Sequence, residues 1–150
     1  MIQGLGLRLD KNNFFASPYG PNLLPEGDFS TGNLTNFDEV GAQYSVNGSN
    51  QLVCDNIGTN EFLGKNFSYV FNDMYLISYD VLSEDLDGGV SFSGTSMFAS
   101  TVLPFTVGHH DIIKTALNPA STMAFRLVVL ATNTSGTQIV MDNFKIRKIL

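Results

Sequence analysis

Two histidines, one cysteine and several clustered carboxylates are the side chains of this 150-residue chain with the clearest potential for chemistry. His109, His110 and Asp111 are consecutive, in a segment whose composition suits a strand. Because adjacent residues of a strand point to opposite faces, the two imidazoles cannot readily chelate one metal ion. No pair of carboxylates is recognisably positioned for glycoside hydrolysis either. The sequence therefore predicts a protein that is not an enzyme.

The remaining reactive groups have structural explanations. Cys54 is the single cysteine, so no internal disulfide can form, and its place in Q-L-V-C-D predicts a buried strand thiol. Glu84, Asp85 and Asp87 cluster before two glycines, which predicts a solvated turn. Neither feature indicates a catalytic site.

Composition excludes several classes of partner. The net charge of −6 argues against nucleic-acid binding, which needs a basic footprint, and against attraction to an anionic membrane surface. Apolar runs such as 127–131 are far too short to span a bilayer. The length predicts a single domain, and with only 15% charged residues its polar surface must come from Asn, Ser, Thr and Gly.

The element around which these groups would be arranged is a strand at residues 74–82. One face of this segment carries apolar and aromatic side chains, those of Tyr75, Ile77, Tyr79 and Val81. The other face carries Leu76, Ser78 and Asp80. Alternation with period two predicts a strand with one face in a core, and the length of this one favours a central position.

Other segments repeat the alternation. Phe67, Tyr69 and Phe71 predict another strand, and residues 123–129 predict an inward row made of Met123, Phe125, Leu127 and Val129. N-G-S-N at 47–50 predicts a hairpin turn, and so does Asp87-Gly88. The second hairpin would return Val90 and Phe92 along the core face of the central strand.

Residues 137–149 are predicted to form the last strand, and the pattern of their apolar side chains predicts a β-bulge. The apolar residues of this strand are odd-numbered at Ile139 and Met141 but even-numbered at Phe144 and Ile146. One extra residue at Asp142-Asn143 would restore a single inward face. About nine to eleven short strands and no long helical segment then predict an antiparallel β-sandwich over residues 22–150.

Residues 1–21 are predicted to be an N-terminal arm. Its apolar residues are Leu5, Leu7, Leu9, Phe14 and Phe15. Pro18, Gly20 and Pro21 are expected to break any regular element. The arm would either complete its own sandwich or add to the sheet edge of a partner.

Three motifs in order resemble carbohydrate-binding modules of the family 4/9 type. They are N-L-L-P-E-G-D-F-S-T-G at 22–32, Y-L-I-S-Y-D-V at 75–81 and I-V-M-D-N-F-K-I at 139–146. The resemblance implies a jelly-roll β-sandwich that binds glycans in a cleft on one sheet and often holds a structural calcium ion (Ca²⁺). Two positions depart from the family pattern: Ser30 replaces the usual acidic residue, and Phe37 stands where a Trp is usual.

The resemblance directs attention to two kinds of site. A glycan cleft would use the face opposite the core, with Ser78, Asp80, Ser91, Ser93 and Arg126 as polar contacts and Tyr69 as an aromatic. Alternatively, Asp80 and Arg126 form a solvated cross-strand pair. A calcium ion would be held by Asp142 and Asp28; otherwise Asp142 accepts hydrogen bonds from backbone N–H groups at the bulge.

Two function classes follow. One is a stand-alone module that recognises a polysaccharide. The other is a subunit of a larger assembly, and the start at Met1 without a signal-peptide pattern, the absence of Trp and the apolar arm favour it. We expect a phage-type virion protein, a capsid decoration or tail adhesin, made in the host cytoplasm. It would contact other capsid or tail subunits and bind a cell-surface glycan weakly.

Overall fold

Eleven strands in two antiparallel sheets form the part of the protein that the computed structural model describes, residues 17–55, 61–85, 88–119, 123–130 and 138–150. Sheet A contains β1 (Tyr19–Asn22), β3 (Tyr44–Val46), β4 (Leu52–Asp55), β6 (Met74–Glu84), β9 (Gly108–Thr115) and β11 (Gln138–Ile149). Sheet B contains β2 (Glu39–Val40), β5 (Phe62–Lys65), β7 (Gly89–Phe92), β8 (Thr101–Leu103) and β10 (Phe125–Leu130). A short 3₁₀ helix spans Pro25–Asp28. The strand order is β3-β4-β11-β6-β9 in sheet A, with β1 also beside β11, and β2-β5-β10-β7-β8 in sheet B.

The core lies between the sheets, as the alternation predicts. All four apolar residues of the inward face of β6 are buried, and so are Phe92, Phe125 and Leu127 of sheet B. Phe144 of β11 stacks on Tyr79, with 4.9 Å between ring centroids, and meets Phe125 edge-on at 5.7 Å. The Phe144–Phe125 contact joins the two sheets, and the buried faces on both sides of it confirm the β-sandwich. Cys54 is buried as well, and burial raises the pKa of its thiol.

The predicted bulge is present in β11. Asp142 lies opposite Asp80 and Lys145 lies opposite Ser78, so two residues of β11 face the single residue Tyr79. Asn143 has a φ of 55°, a left-handed conformation that Asn tolerates better than most residues. Met141, Phe144 and Ile146 are all buried, which confirms the change of parity.

Two local predictions are wrong. The hairpin predicted at Asp87-Gly88 would pair β7 with the central strand, but β6 is paired with β9 and β11 on its two edges and β7 lies in sheet B. Asp87 itself lies outside the described residues. Residues 67–71 do not form a strand; the strand of this region is β5, which ends at Lys65, two residues before Phe67. The alternating aromatics there belong to a loop in which Phe67 and Tyr69 pack against the core. The turn at 47–50 is confirmed, since β3 and β4 pair across it.

The N-terminal prediction is partly outside the described residues, because Leu5, Leu7, Leu9, Phe14 and Phe15 precede residue 17. The expectation that Pro18, Gly20 and Pro21 break any regular element is wrong for β1, which pairs with β11. Pro21 is tolerated because β1 pairs along one side only and this residue is exposed. In the described part of the chain, no helix is long and apolar enough to cross a membrane.

Candidate functional site

A groove of about 460 Å³ lies at the β2 edge of sheet B. It is lined by Glu39, Val40, Gly41, Ala42, Glu61, Phe62 and Arg126. The residues come from β2, β5, β10 and the loops beside them, so the pairing of three short strands creates the site.

The register of these strands places two opposite charges in one row. Glu39 lies opposite Gly64, which in turn lies opposite Arg126. Because Gly64 has no side chain, Arg126 reaches across β5, and its Nη2 lies 2.6 Å from Glu39 Oε1. A Cβ at position 64 would come within 3.2 Å of the Glu39 Cβ, so glycine leaves room for this ion pair.

Phe62 fixes the plane of the arginine. It is two residues from Gly64 and therefore on the same face of the sheet. The guanidinium carbon of Arg126 lies 3.6 Å from the centre of the Phe62 ring, a cation–π contact. Arg126 Nη1 also donates to Thr95 Oγ1 at 2.7 Å. The guanidinium is thus held on three sides as a flat, cationic group beside the groove.

Glu61 supplies a second carboxylate. Its Oε2 accepts a hydrogen bond from the Ala42 backbone N–H. A Cβ at Gly41 would overlap the Glu61 Cβ, so a glycine at 41 allows the two chain segments to approach. Among the described residues, no Lys, Arg or His lies within ion-pair distance of Glu61. The groove therefore contains two carboxylates. That of Glu39 is neutralised by Arg126, whereas that of Glu61 accepts a hydrogen bond from the uncharged Ala42 N–H.

The predicted glycan contacts do not share one cleft, so that expectation is wrong. Ser78 and Asp80 lie on sheet A, whereas Ser91 and Arg126 lie on sheet B and Ser93 directly follows β7 of that sheet. The two sheets pack through their inner faces, and hence their outer faces point in opposite directions. The predicted cross-strand pair of Asp80 and Arg126 is wrong for the same reason.

Individual residues of the predicted set have different environments. Ser93 lies near Arg126, because both contact Thr95. The Oγ of Ser93 is 3.0 Å from Thr95 Oγ1, the atom to which Arg126 donates. Ser91 is buried on β7. Tyr69 donates from its hydroxyl to the Asn118 carbonyl at 2.5 Å and lines an apolar cavity of about 220 Å³ at one end of the sandwich.

The outer face of sheet A carries a separate polar cluster. His109 Nδ1 is 2.6 Å from Asp80 Oδ1, and its Nε2 is 3.3 Å from Asp111 Oδ1. The hydrogen bond to Asp80 is the main cause of a raised pKa at His109 and of a lowered pKa at Asp80. His110 points the other way and packs on the Tyr79 ring, 5.2 Å away, so the two imidazoles diverge as predicted.

The two residues predicted to hold calcium, Asp142 and Asp28, lie near enough to each other for their charges to interact. Burial raises the pKa of Asp142, and the nearby charges of Asp80 and Asp28 add to this effect. Asp142 Oδ1 accepts from the Asn143 backbone N–H at 2.7 Å, and Asp28 Oδ1 accepts from the Ser30 N–H at 3.0 Å. Calcium needs six to eight oxygen ligands, and the described residues hold no group of three or more His, Cys, Asp or Glu that could bind a metal. Calcium stays an untested prediction, and no role is assigned to it.

Sequence reasoning missed Glu39, Glu61 and Phe62. A signal was available in E-F-L-G-K at 61–65, because a glycine inside an apolar strand often marks a close approach of another group. Which group approaches depends on the pairing of β2, β5 and β10, which is not local in sequence.

Comparisons with known proteins define the class of fold. No family model matches the chain, and no curated protein matches it. Among solved structures, it is similar to a Family 16 Carbohydrate Binding Module-2, with a TM-score of 0.54 and 15% identity over 83% of this chain and 99% of that one. A second structure contains the CBM22-1 and GH10 modules of the Clostridium thermocellum xylanase 10B complexed with xylohexaose. It gives a TM-score of 0.49 and 14% identity over 89% of this chain and 29% of that one. The protein thus has a carbohydrate-binding-module-like β-sandwich fold.

Proposed function

We propose that this protein is a non-catalytic carbohydrate-binding module whose site is the groove on sheet B. The fold supports this assignment, since the similar solved structure is a carbohydrate-binding module. The observation that carries it is the Arg126 guanidinium, held flat against Phe62 and paired with Glu39 at the wall of an open groove.

The groove has the groups that a sugar needs. Guanidinium N–H groups donate to hydroxyl oxygens, and the carboxylates of Glu39 and Glu61 accept from hydroxyl groups. Val40 is 46% exposed and offers an apolar contact for the C–H face of a sugar ring. Because the chain contains no Trp, it cannot form a Trp platform, and we expect weak binding that depends on these polar contacts.

Affinity electrophoresis against a panel of soluble polysaccharides tests the proposal. Arg126→Gln should lower the affinity for a retained polysaccharide by about tenfold, the usual effect of losing a charged hydrogen bond. His109→Gln on the outer face of sheet A is the matched control and should bind normally. Retention that is lost in His109→Gln and kept in Arg126→Gln would move the site to sheet A and contradict the assignment.

A second candidate function is favoured by the apolar end of the sandwich. The cavity of about 220 Å³ there is lined by Leu23, Tyr69 and Tyr75, among others, and Val70 and Leu150 are 54% and 77% exposed beside it. Gly20 and Pro21 of β1 also line it, so the cavity adjoins the strand that follows the N-terminal residues. We propose that other subunits of a particle, such as the capsid or tail of a virion, bind at this end.

Removal of residues 1–16 tests this second function without removing β1. The truncated protein should remain folded and lose its attachment to the particle, whereas Arg126→Gln should attach normally. Attachment that survives both the truncation and the substitution Val70→Asp would exclude this end of the sandwich as the contact.

A further inference from the structure

We propose that the groove on sheet B selects glycans that carry free amino groups, such as oligomers of glucosamine, over their neutral counterparts. This inference rests on the proposed function, because it takes the groove as the glycan site. Glu61 is the group that would make the selection.

The balance of charge in the groove favours a cation. Arg126 and Glu39 neutralise each other at 2.6 Å, which leaves Glu61 as the charge without an opposite partner among the described residues. Residues 56–60, which precede Glu61 in sequence, include no charged residue, and the whole chain has a net charge of −6. The local and overall charges therefore have the same sign and attract an ammonium group.

The position of the Glu61 carboxylate suits a ligand in the groove. Oε2 is held by the Ala42 N–H, so the carboxylate is oriented before any ligand arrives. A protonated amine donates hydrogen bonds with charge assistance, which a hydroxyl group of a neutral sugar does not match. A uronic acid would place a second negative charge beside Glu61 and should be rejected.

The size of the selection is limited because the groove is open to water. Exposed ion pairs give small gains, so an amino sugar should bind roughly 2- to 5-fold more tightly than the neutral sugar. The preference should vanish in about 1 M salt, where such charges are screened.

Isothermal titration calorimetry with oligomers of glucosamine, N-acetylglucosamine and glucose of equal length tests the inference. The titrations are run at low salt and about pH 6, below the ordinary pKa of an amine. The wild-type protein should bind the glucosamine oligomer most tightly, and Glu61→Gln should bind it no better than the glucose oligomer. Glu84→Gln removes the same charge from sheet A and should leave the preference unchanged.

Three outcomes are distinguishable. A preference for glucosamine that Glu61→Gln abolishes supports the inference. Equal binding of the oligomers, or a preference that Glu61→Gln keeps, overturns the inference and leaves the proposed function intact. Failure to bind any oligomer or any polysaccharide of the panel overturns both.

Discussion

At the scale of single residues, glycines set the geometry of the groove. Gly64 lets Arg126 reach Glu39, and Gly41 lets the chain pass close to Glu61. Their role is steric, since the side chains of neighbouring strands occupy the space that a Cβ would need. Substitutions at these positions should therefore act on the site as well as on stability.

Gly41→Ala should destabilise the protein and displace Glu61 from the Ala42 N–H. The new Cβ would overlap the Glu61 Cβ and lie 3.2 Å from the Phe62 backbone nitrogen, so the backbone must shift. We expect a loss of about 1–3 kcal/mol in the free energy of unfolding, typical of overpacking. Urea denaturation measures it, with Gly48→Ala as the control, because nothing lies within 4 Å of a Cβ there. Equal stability of the two variants would contradict the steric role of Gly41.

The pH dependence of stability should depend on His109. Its pKa is raised above the ordinary 6.5, chiefly by the hydrogen bond to Asp80. The stabilisation is therefore fully present below about pH 6.5 and is lost as pH rises through the raised value. The lowered pKa of Asp80 works in the other direction, so its stabilisation is lost as pH falls through that lowered value.

Comparison of the wild-type protein with His109→Gln isolates this effect. The difference in their free energies of unfolding should be larger at about pH 5.5 than at about pH 9. An NMR titration of the His109 imidazole provides a direct check of its pKa. A difference in stability that does not change with pH would rule out the Asp80–His109 contact as its source.

At the scale of strands, the sequence predicts what depends on side-chain period alone. The parity switch from Met141 to Phe144 predicts the bulge in β11, because a strand with one buried face must keep its apolar residues inward. The pairing of β7 with β8 and β10 is not predicted. A local turn signal such as Asp87-Gly88 carries no information about which strands occupy the two edges of β6. The aromatic alternation at 67–71 fails for a related reason, since a loop that covers the core also has apolar residues.

Asn143 should support the bulge through its backbone and its side chain. Its φ is 55°, and its Nδ2 donates to Asp80 Oδ2 at 2.8 Å. Asn143→Gly keeps the left-handed conformation and loses the hydrogen bond, whereas Asn143→Ala loses the hydrogen bond and adds strain. The alanine variant should therefore be less stable than the glycine variant by about 1 kcal/mol in urea denaturation. The reverse order would mean that the bulge does not require this conformation.

At the scale of the whole molecule, alternation and turn spacing predict the sandwich. They do not predict which outward-facing residues lie on the same outer face. Ser78 and Arg126 both face away from the core, yet they lie on opposite sides of the protein. The groove depends on β2 and β5, which have two and four residues, and strands this short give little periodic signal. Long strands such as β6 and β11 are predicted well because their apolar faces are long enough to show the period.

The start of the stable domain should lie at β1. The Asn22 Oδ1 accepts from the Ile146 N–H at 3.0 Å, and the Leu23 N–H donates to the Ile146 carbonyl at 2.8 Å. Deletion of residues 1–16 should leave the melting temperature nearly unchanged. Deletion of residues 1–22 should lower it clearly, because β11 loses a partner strand and the Asn22 hydrogen bond. Equal melting temperatures of the two truncated proteins would show that β1 does not stabilise the sandwich.

An NMR titration of the labelled protein with a polysaccharide retained in the affinity screen is the most direct test of the groove as a glycan site. Amide signals of residues 39–42, 61–64 and 126 should shift together and saturate, while those of residues 76–80 and 109–113 on sheet A should not move. Shifts confined to sheet A, or to the apolar end around Tyr69 and Val70, would contradict the assignment of the site to sheet B.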